Sequence, residues 1–439
     1  MGATPLRIGY LVQQFVPEVG AGPARVLEMT RHWQAAGADV TIITGMPNRP
    51  QGRIHPSYRG KLFVEEEVEG LRVLRSWLYA SPKHGFARTI LNNLTFMSTG
   101  FLNALTRGGR FDVLIASSPP FFPHISGALL GVTRRMPVIL EVRDLWPDYL
   151  VEMGVLRGRV SQRLLYALES RLLRSAAHVV AVTESFRHRI ERKGVDEDRI
   201  TVVPNGVDSE FYYSSGEEPP IAGMRETGDF VVGYLGNFGA GQRLSTVIEA
   251  AHRIASDAPN VRFVMVGDGP DRAHVEARAA ELGLRNLSIH PPITKDQTRA
   301  FHSACDISLV PLAPLPVFQD TIPSKIFEIM ACERPVVAGL AGEAARIVDQ
   351  SDGGIVVAPG DPEALAAGVL RLYGEESATL ARMGAAGRAY VTRHYDRTAL
   401  AGSYLETIAN VAGGNFLPAS TKSEPIVAVD ARGDEAGDR

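Results

Sequence analysis

The 439-residue chain is longer than one ordinary hydrophobic core can organise, so two domains are expected. A net charge of −3 with 45% hydrophobic residues suits a globular enzyme and argues against a dedicated nucleic-acid binder. Two cysteines, Cys305 and Cys332, form no disulfide framework, and no apolar run reaches the roughly 18 residues of a spanning helix. The first residues run into a strand without an apolar leader, so a cytoplasmic protein is expected.

Apolar, β-rich runs alternate with helical periodicity along the chain, the pattern of parallel sheets covered on both faces. Strands are expected at 7–13, 39–44, 71–76, 112–116, 138–142, 178–183 and 200–203, with helices at 23–36, 86–105, 124–133, 159–175 and 184–193. Residues 208–229 break the pattern with Ser214-Ser215-Gly216-Glu217-Glu218-Pro219-Pro220. They place a linker at 211–229. A second alternation follows. Its strands are expected at 230–235, 262–266, 287–290, 307–310, 335–338 and 354–357, and its helices at 244–256, 272–282, 295–304, 324–332 and 362–373. Helices at 378–393 and 397–411 close the ordered part, and a polar tail at 413–439 is expected to be disordered. The reading is α/β: an N-terminal domain at 1–210, onto which the helix at 397–412 packs back, and a C-terminal domain at 230–396. Both are Rossmann-like and doubly wound, and are expected to face each other across a cleft, because ligands of such sheets bind outside the carboxyl ends of the strands.

The richest motif runs from Gln319 to Pro335 and sets Asp320 and Glu328 eight residues apart, with Pro323-Ser324-Lys325 opening a helix between them. A helix start attracts phosphate through its N–H groups and dipole, and a carboxylate just inside it holds sugar hydroxyls by charge-assisted hydrogen bonds. A nucleotide sugar carries both groups. Gly236-Asn237-Phe238-Gly239 leads from a strand to Arg243, and Gly267-Asp268-Gly269 ends another strand, so backbone N–H groups and a guanidinium can meet a diphosphate there. Glu18-Val19-Gly20-Ala21-Gly22-Pro23 makes a third such turn after the first strand; Arg25 stands where a dinucleotide fingerprint needs its last glycine. Arg143 and Asp144 end a buried strand, where a charged pair is costly unless it is paired or functional. A structural Arg–Asp bridge is the plain alternative. His124, near a helix start, has both a catalytic and a structural reading. Asp196-Glu197-Asp198 reads as a turn, and no metal-ligand spacing occurs. Residues 71–110 hold six Lys or Arg and no acid, with Ile90, Leu94, Met97 and Phe101 at helical spacing. That suits contact with an anionic membrane or a lipid-phosphate acceptor as well as a packed helix with a basic rim.

Taken together, Phe15-Val16-Pro17-Glu18 with Gly20, Arg143-Asp144-Leu145-Trp146-Pro147, Pro204-Asn205-Gly206-Val207-Asp208, Gly236-Asn237, Val266-Gly267-Asp268-Gly269-Pro270 and Thr321-Ile322-Pro323-Ser324-Lys325-Ile326-Phe327-Glu328 resemble the GT-B glycosyltransferases of family 4. The resemblance spans nearly all of residues 6–412 and is strongest to bacterial exopolysaccharide and O-antigen transferases. It implies retaining sugar transfer from a nucleotide diphosphate, a UDP-sugar favoured over a GDP-sugar, without metal or other cofactor. The acceptor it implies is a lipid-linked saccharide of cell-surface polysaccharide synthesis, met by a cytoplasmic enzyme at the inner face of the membrane.

On the same resemblance, Gly20, Gly22, Gly236, Asn237, Arg243, Gly267, Asp320, Ser324, Lys325 and Glu328 bind the donor, with Glu328 the second acid of the family's Glu-x7-Glu motif on the ribose. Asp320 stands at the first acid with a shorter side chain. Many members carry a histidine where Arg143 falls, so Arg143, Asp144 and Glu18 become the catalytic candidates. A small-molecule acceptor such as a secondary-metabolite aglycone, a nucleotide-sugar epimerase and an inactive partner subunit stay open. An NAD-linked oxidoreductase lacks the acid that should follow its glycine turn.

Overall fold

A computed structural model describes residues 5–413 apart from 50, 84 and 153. Its described residues divide into two compact units, 5–205 with 397–413, and 206–396. In the first, strands β1 (Arg7–Leu11), β2 (Asp39–Gly45), β3 (Phe63–Val68), β4 (Leu71–Ser76), β5 (Val113–Ser118), β6 (Val138–Val142), β7 (His178–Ala181) and β8 (Ile200–Val202) form one sheet. Helices α1 (Ala21–Ala35), α2 (Phe86–Arg107), α3 (Phe122–Arg134), α4 (Trp146–Glu152), α5 (Arg159–Ser175) and α6 (Glu184–Arg192) connect them. The strand order is β3-β4-β2-β1-β5-β6-β7-β8. Every neighbour pair is parallel except β3–β4.

The second unit holds β9 (Phe230–Leu235), α7 (Ser245–Ile254), β10 (Val261–Val266), α8 (Arg272–Glu281), β11 (Leu287–His290), α9 (Lys295–Ala304), β12 (Ile307–Pro311), α10 (Lys325–Ala331), β13 (Val336–Gly339), α11 (Glu343–Gln350), β14 (Gly354–Val357), α12 (Pro362–Tyr373) and α13 (Ser377–His394). Its order, β11-β10-β9-β12-β13-β14, is the doubly wound arrangement with all strands parallel. In each sheet the winding reverses beside the first strand, between β1 and β5 and between β9 and β12. The loops leaving those strands are where such sheets bind ligands, and the glycine turns of the sequence lie on them.

The structure departs from expectation in three ways. β3 is an antiparallel edge strand whose Glu65-Glu66-Glu67 run hides its alternation, although Glu69 and Gly70, both at positive φ, make the two-residue turn that joins it to β4. Helices α4 and α11 are short and go unseen in the periodicity. The third departure corrects the domain plan: the expected linker at 211–229 is part of the second unit. Tyr212 and Met224 are buried in its cores, the Ser215 N–H donates to Ser303 Oγ at 2.9 Å, Arg225 pairs with Asp306, and Arg299 lies 4.5 Å from the Tyr213 ring centre. The apolar residues in this polar stretch have a core to enter, so it wraps the unit instead of spanning a gap. Of the expected disordered tail, 414–439 lies outside the described residues.

The last helix, α14 (Arg397–Val411), returns to the first unit and packs on α1. Trp33 is fully buried there, with its indole N–H on the Ala401 carbonyl at 2.9 Å and its ring edge-on to Tyr404 at 5.1 Å. Arg397 pairs with Glu28 and donates to the Asn205 carbonyl at 3.1 Å. Trp33→Ala is expected to cost about 3–5 kcal/mol, read as a lower midpoint in urea unfolding, because it leaves a large cavity and an orphaned carbonyl.

Candidate active site

In the second unit three loops interlock at the carboxyl edge of the sheet. After β9 the Gly236 N–H donates to the Val266 carbonyl at 3.0 Å, and the Phe238 N–H to Asp268 at 2.8 Å. After β10 the Gly267 N–H donates to His290 at 3.1 Å. Gly267 has φ 149°, and a Cβ there would come within 1.8 Å of the Gly236 carbonyl, so only glycine lets the two loops touch. Gly236, with φ 151°, opens the place that Lys325 takes: a Cβ would stand 2.6 Å from its Nζ. The Lys325 ammonium lies 4.2 Å from the ring centre of Tyr234, whose hydroxyl donates to the Asn237 carbonyl at 2.7 Å. A cation is thereby fixed over an aromatic face beside two glycine loops.

Lys325 opens α10 and Glu328 follows one turn on, on the same side of the helix. Burial pushes the Glu328 carboxyl up to about 7, against the pull of Lys325, Lys295 and the Tyr212 hydroxyl. Burial also lowers the Lys325 ammonium to about 8, opposed by Glu328. Ser324 precedes α10 without capping it by its side chain, and Asp320 ends the 3₁₀ turn Pro316–Asp320, half-buried. Arg243 sits at φ 44° between another 3₁₀ turn and α7, with an exposed side chain that reaches toward Gly360. Its loop is tied to the segment after β12 by the Ala313 N–H on the Gly241 carbonyl at 2.8 Å. The glycine loops, Lys325 and Glu328 thus form one site, whose loop Asn237 shares and which Ser324 borders at the start of α10. Tyr234 and Tyr212, missed in the sequence, complete it; Tyr234 alternates with the strand as an ordinary core aromatic would.

In the first unit the centre is Glu141 on β6, wholly buried. It accepts from the Tyr10 hydroxyl at 2.5 Å, the Ser117 hydroxyl at 2.6 Å and the Arg25 guanidinium at 3.2 Å. Arg25 also donates to the carbonyls of Val203 and Pro204. Arg143 stands 3.7 Å from Glu141, donates to the Ser118 carbonyl at 3.0 Å and lays its guanidinium on Gly22 in the first turn of α1. Asp144 follows, its carboxyl raised to about 6 by burial, with the Leu145 N–H and Arg143 opposing and Asp148 adding.

Gly20 precedes α1 at φ 152°. Glu18 is buried, and its Oε1 accepts from the Asn48 and Arg49 N–H groups, each at 2.9 Å, so its carboxylate ties two loops together. His124 is a core histidine: its Nε2 meets the Glu141 carbonyl at 3.0 Å and burial lowers it to about 4. Among the described residues no group of three or more His, Cys, Asp and Glu side chains is placed to hold a metal ion.

Comparison with known proteins decides the family. Residues 20–206 match the model of the glycosyl transferase 4-like domain, and 229–375 match that of glycosyl transferases group 1, together well over half of the chain. The chain belongs to this glycosyltransferase family. A protein of Escherichia coli (strain K12) named as a colanic acid biosynthesis glycosyl transferase is 26% identical over 84% of this chain and 91% of its own length. The 2-deoxystreptamine glucosyltransferase of Streptomyces kanamyceticus is 26% identical over 58% and 66%. Sucrose-phosphate synthase from Thermosynechococcus elongatus superposes with a TM-score of 0.73 at 18% identity, covering 93% of this chain and 99% of that one. Anabaena HepE in complex with UDP and glucose gives 0.68 at 18%, covering 92% and 100%. The fold is therefore that of the GT-B glycosyltransferases.

Because Arg25 and Glu141 are both buried, Arg25→Met in this transferase leaves a charge without its partner and is expected to cost about 3–5 kcal/mol in urea unfolding. Its neighbours hold the Glu141 carboxyl below the usual carboxylate range in spite of burial. The stability it contributes is thus present above that ordinary range and is lost as pH falls through the lowered folded value.

Proposed function

We propose that this transferase moves a sugar from a nucleotide diphosphate donor, a UDP-sugar in preference to a GDP-sugar, with retention of anomeric configuration and without a metal ion. The observation that carries this is Lys325, fixed 4.2 Å over Tyr234 and wedged against Gly236, with Glu328 one helical turn on. A fixed cation beside glycine loops suits a diphosphate, and a carboxylate beyond it suits a ribose diol. When the bond from the anomeric carbon to the diphosphate breaks, negative charge grows on the leaving phosphate. Lys325 and Arg243 would stabilise it, and no bound cation is required for that step. UDP is favoured because Anabaena HepE, of the same fold, binds UDP.

The first unit would take the acceptor. Its hydroxyl bonds to the anomeric carbon and gives up a proton, either to the leaving phosphate or to Asp144. A carboxyl raised to about 6 is ionised at neutral pH and still basic enough to receive that proton. Glu18 is already committed to Asn48 and Arg49, so we assign it to the scaffold of the acceptor side. The acceptor we favour is a lipid-linked saccharide of cell-surface polysaccharide synthesis, met at the cytoplasmic face of the membrane. Its support is the likeness to a protein named for colanic acid biosynthesis. A small soluble acceptor is the second reading, favoured by the likeness to the 2-deoxystreptamine glucosyltransferase.

Calorimetric titration with UDP, GDP, ADP and CMP, with and without EDTA, tests the donor reading. Binding of UDP that survives EDTA and is lost in Glu328→Ala or Lys325→Ala is expected; equal binding of all four, or dependence on metal, would overturn it. UDP affinity should be greatest between about pH 7 and 8. Below that range Glu328 takes up a proton and its acceptor capacity falls; above it Lys325 loses its charge. Glu328→Gln should remove the acid limb alone. With an acceptor in hand, Asp144→Asn should lower kcat by roughly 10²–10⁴-fold while UDP binding stays unchanged. An NMR spectrum of the first-formed product reads the anomeric configuration.

A further inference from the structure

The helices that cover one face of the first unit carry an exposed apolar surface that includes none of the candidate site residues. Helix α5 has two apolar sides. Leu172 and Leu173 enter the core, while Val160, Leu164 and Leu168 form an outward stripe at i, i+4, i+8, with Val160 70% and Leu164 67% exposed. Arg159, Arg163 and Arg171 flank that stripe, exposed and with no acidic partner among the described residues. Helix α3, which packs on α5 and on α2, adds Leu129 and the 81% exposed Val132. Helix α2 adds Leu91, Leu94 and Leu102 along one line.

Helices α2, α3 and α5 hold seven arginines and one acid, Glu169, which is buried and paired with Lys193 at 2.5 Å. In a chain of net charge −3 this is a marked segregation. Apolar side chains standing proud between arginines match the outer layer of an anionic bilayer, where acyl chains take the former and headgroup phosphates the latter. A neutral partner would leave the arginines unmatched. Among the described residues no helix is long and apolar enough to cross a membrane.

We infer that the outer face of α5, continued by α3 and α2, docks the first unit on an anionic membrane surface. As a crossover helix α5 begins at the carboxyl edge of the sheet, the edge that carries Arg143 and Asp144. Docking there would bring that edge to the plane of the headgroups. The inference stands apart from the donor reading and fails separately from it.

Vesicle co-sedimentation of the full chain is the test, with phosphatidylcholine vesicles against vesicles that also contain phosphatidylglycerol. Binding to the anionic vesicles alone, weakened by 0.5 M salt on the order of the screening expected for surface charge, is the predicted result. Arg159→Ala/Arg163→Ala and Val160→Glu/Leu164→Glu should each weaken it by roughly tenfold or more, since each arginine at such a surface contributes about a fivefold factor. Neither pair should alter thermal unfolding or UDP titration. Equal binding to neutral vesicles, no sedimentation of the parent protein, or unchanged sedimentation of Val160→Glu/Leu164→Glu would overturn the inference. A dimer in light scattering that this last pair splits, without effect on vesicle binding, would assign the face to self-association instead.

Discussion

A single buried carboxylate organises the first unit. Glu141 collects a hydroxyl from β1, another from β5 and the guanidinium of Arg25 from α1, and Arg25 reaches on to the carbonyls that follow β8. An isolated ionised group at that depth would be intolerable, so each donor is needed to hold it. The strands on either side of the winding reversal and the helix that leaves it are therefore drawn to one point. Arg143 and Asp144, two and three residues on from Glu141, inherit their positions from that network. The candidate edge is thus placed by a buried network of structural hydrogen bonds.

The second unit works by the opposite tension. Lys325 and Glu328 are held where burial disfavours both charges, each partly offset by the other. Under the proposed donor reading, a ligand with complementary charge and hydroxyls would offset that cost. The glycine loops make this possible, because a Cβ on Gly236 would push Lys325 away and one on Gly267 would part the loops. The placing of Lys325 in this unit thus depends on atoms that are missing from the backbone as much as on side chains that are present.

Much of this was legible beforehand because it follows from periodicity and turn chemistry. The alternation of strands and helices, the turn at Gly236 and the Ser324-Lys325 helix start each have local signatures. What escaped was non-local. Arg25 reads as a mere departure from a glycine pattern until Glu141 is seen beside it. Tyr234 reads as an inward strand residue until Lys325 arrives from 91 positions later in the chain. The edge strand at Phe63–Val68 was masked by three consecutive glutamates, one of which, Glu66, pairs with the buried Arg75. The stretch at 211–229 has the composition of a linker, and only the cores that accept Tyr212 and Met224 make it part of a unit.

The return of α14 to α1 has a consequence for biosynthesis. Residues 206–396 are inserted into the chain of the first unit, and Tyr404 and Ala401 reach Trp33 only after the whole insertion has been translated. On the ribosome, the earlier unit must wait with one layer of its hydrophobic face uncovered while the later one is made and is free to fold. The order of maturation is thereby inverted relative to the order of synthesis.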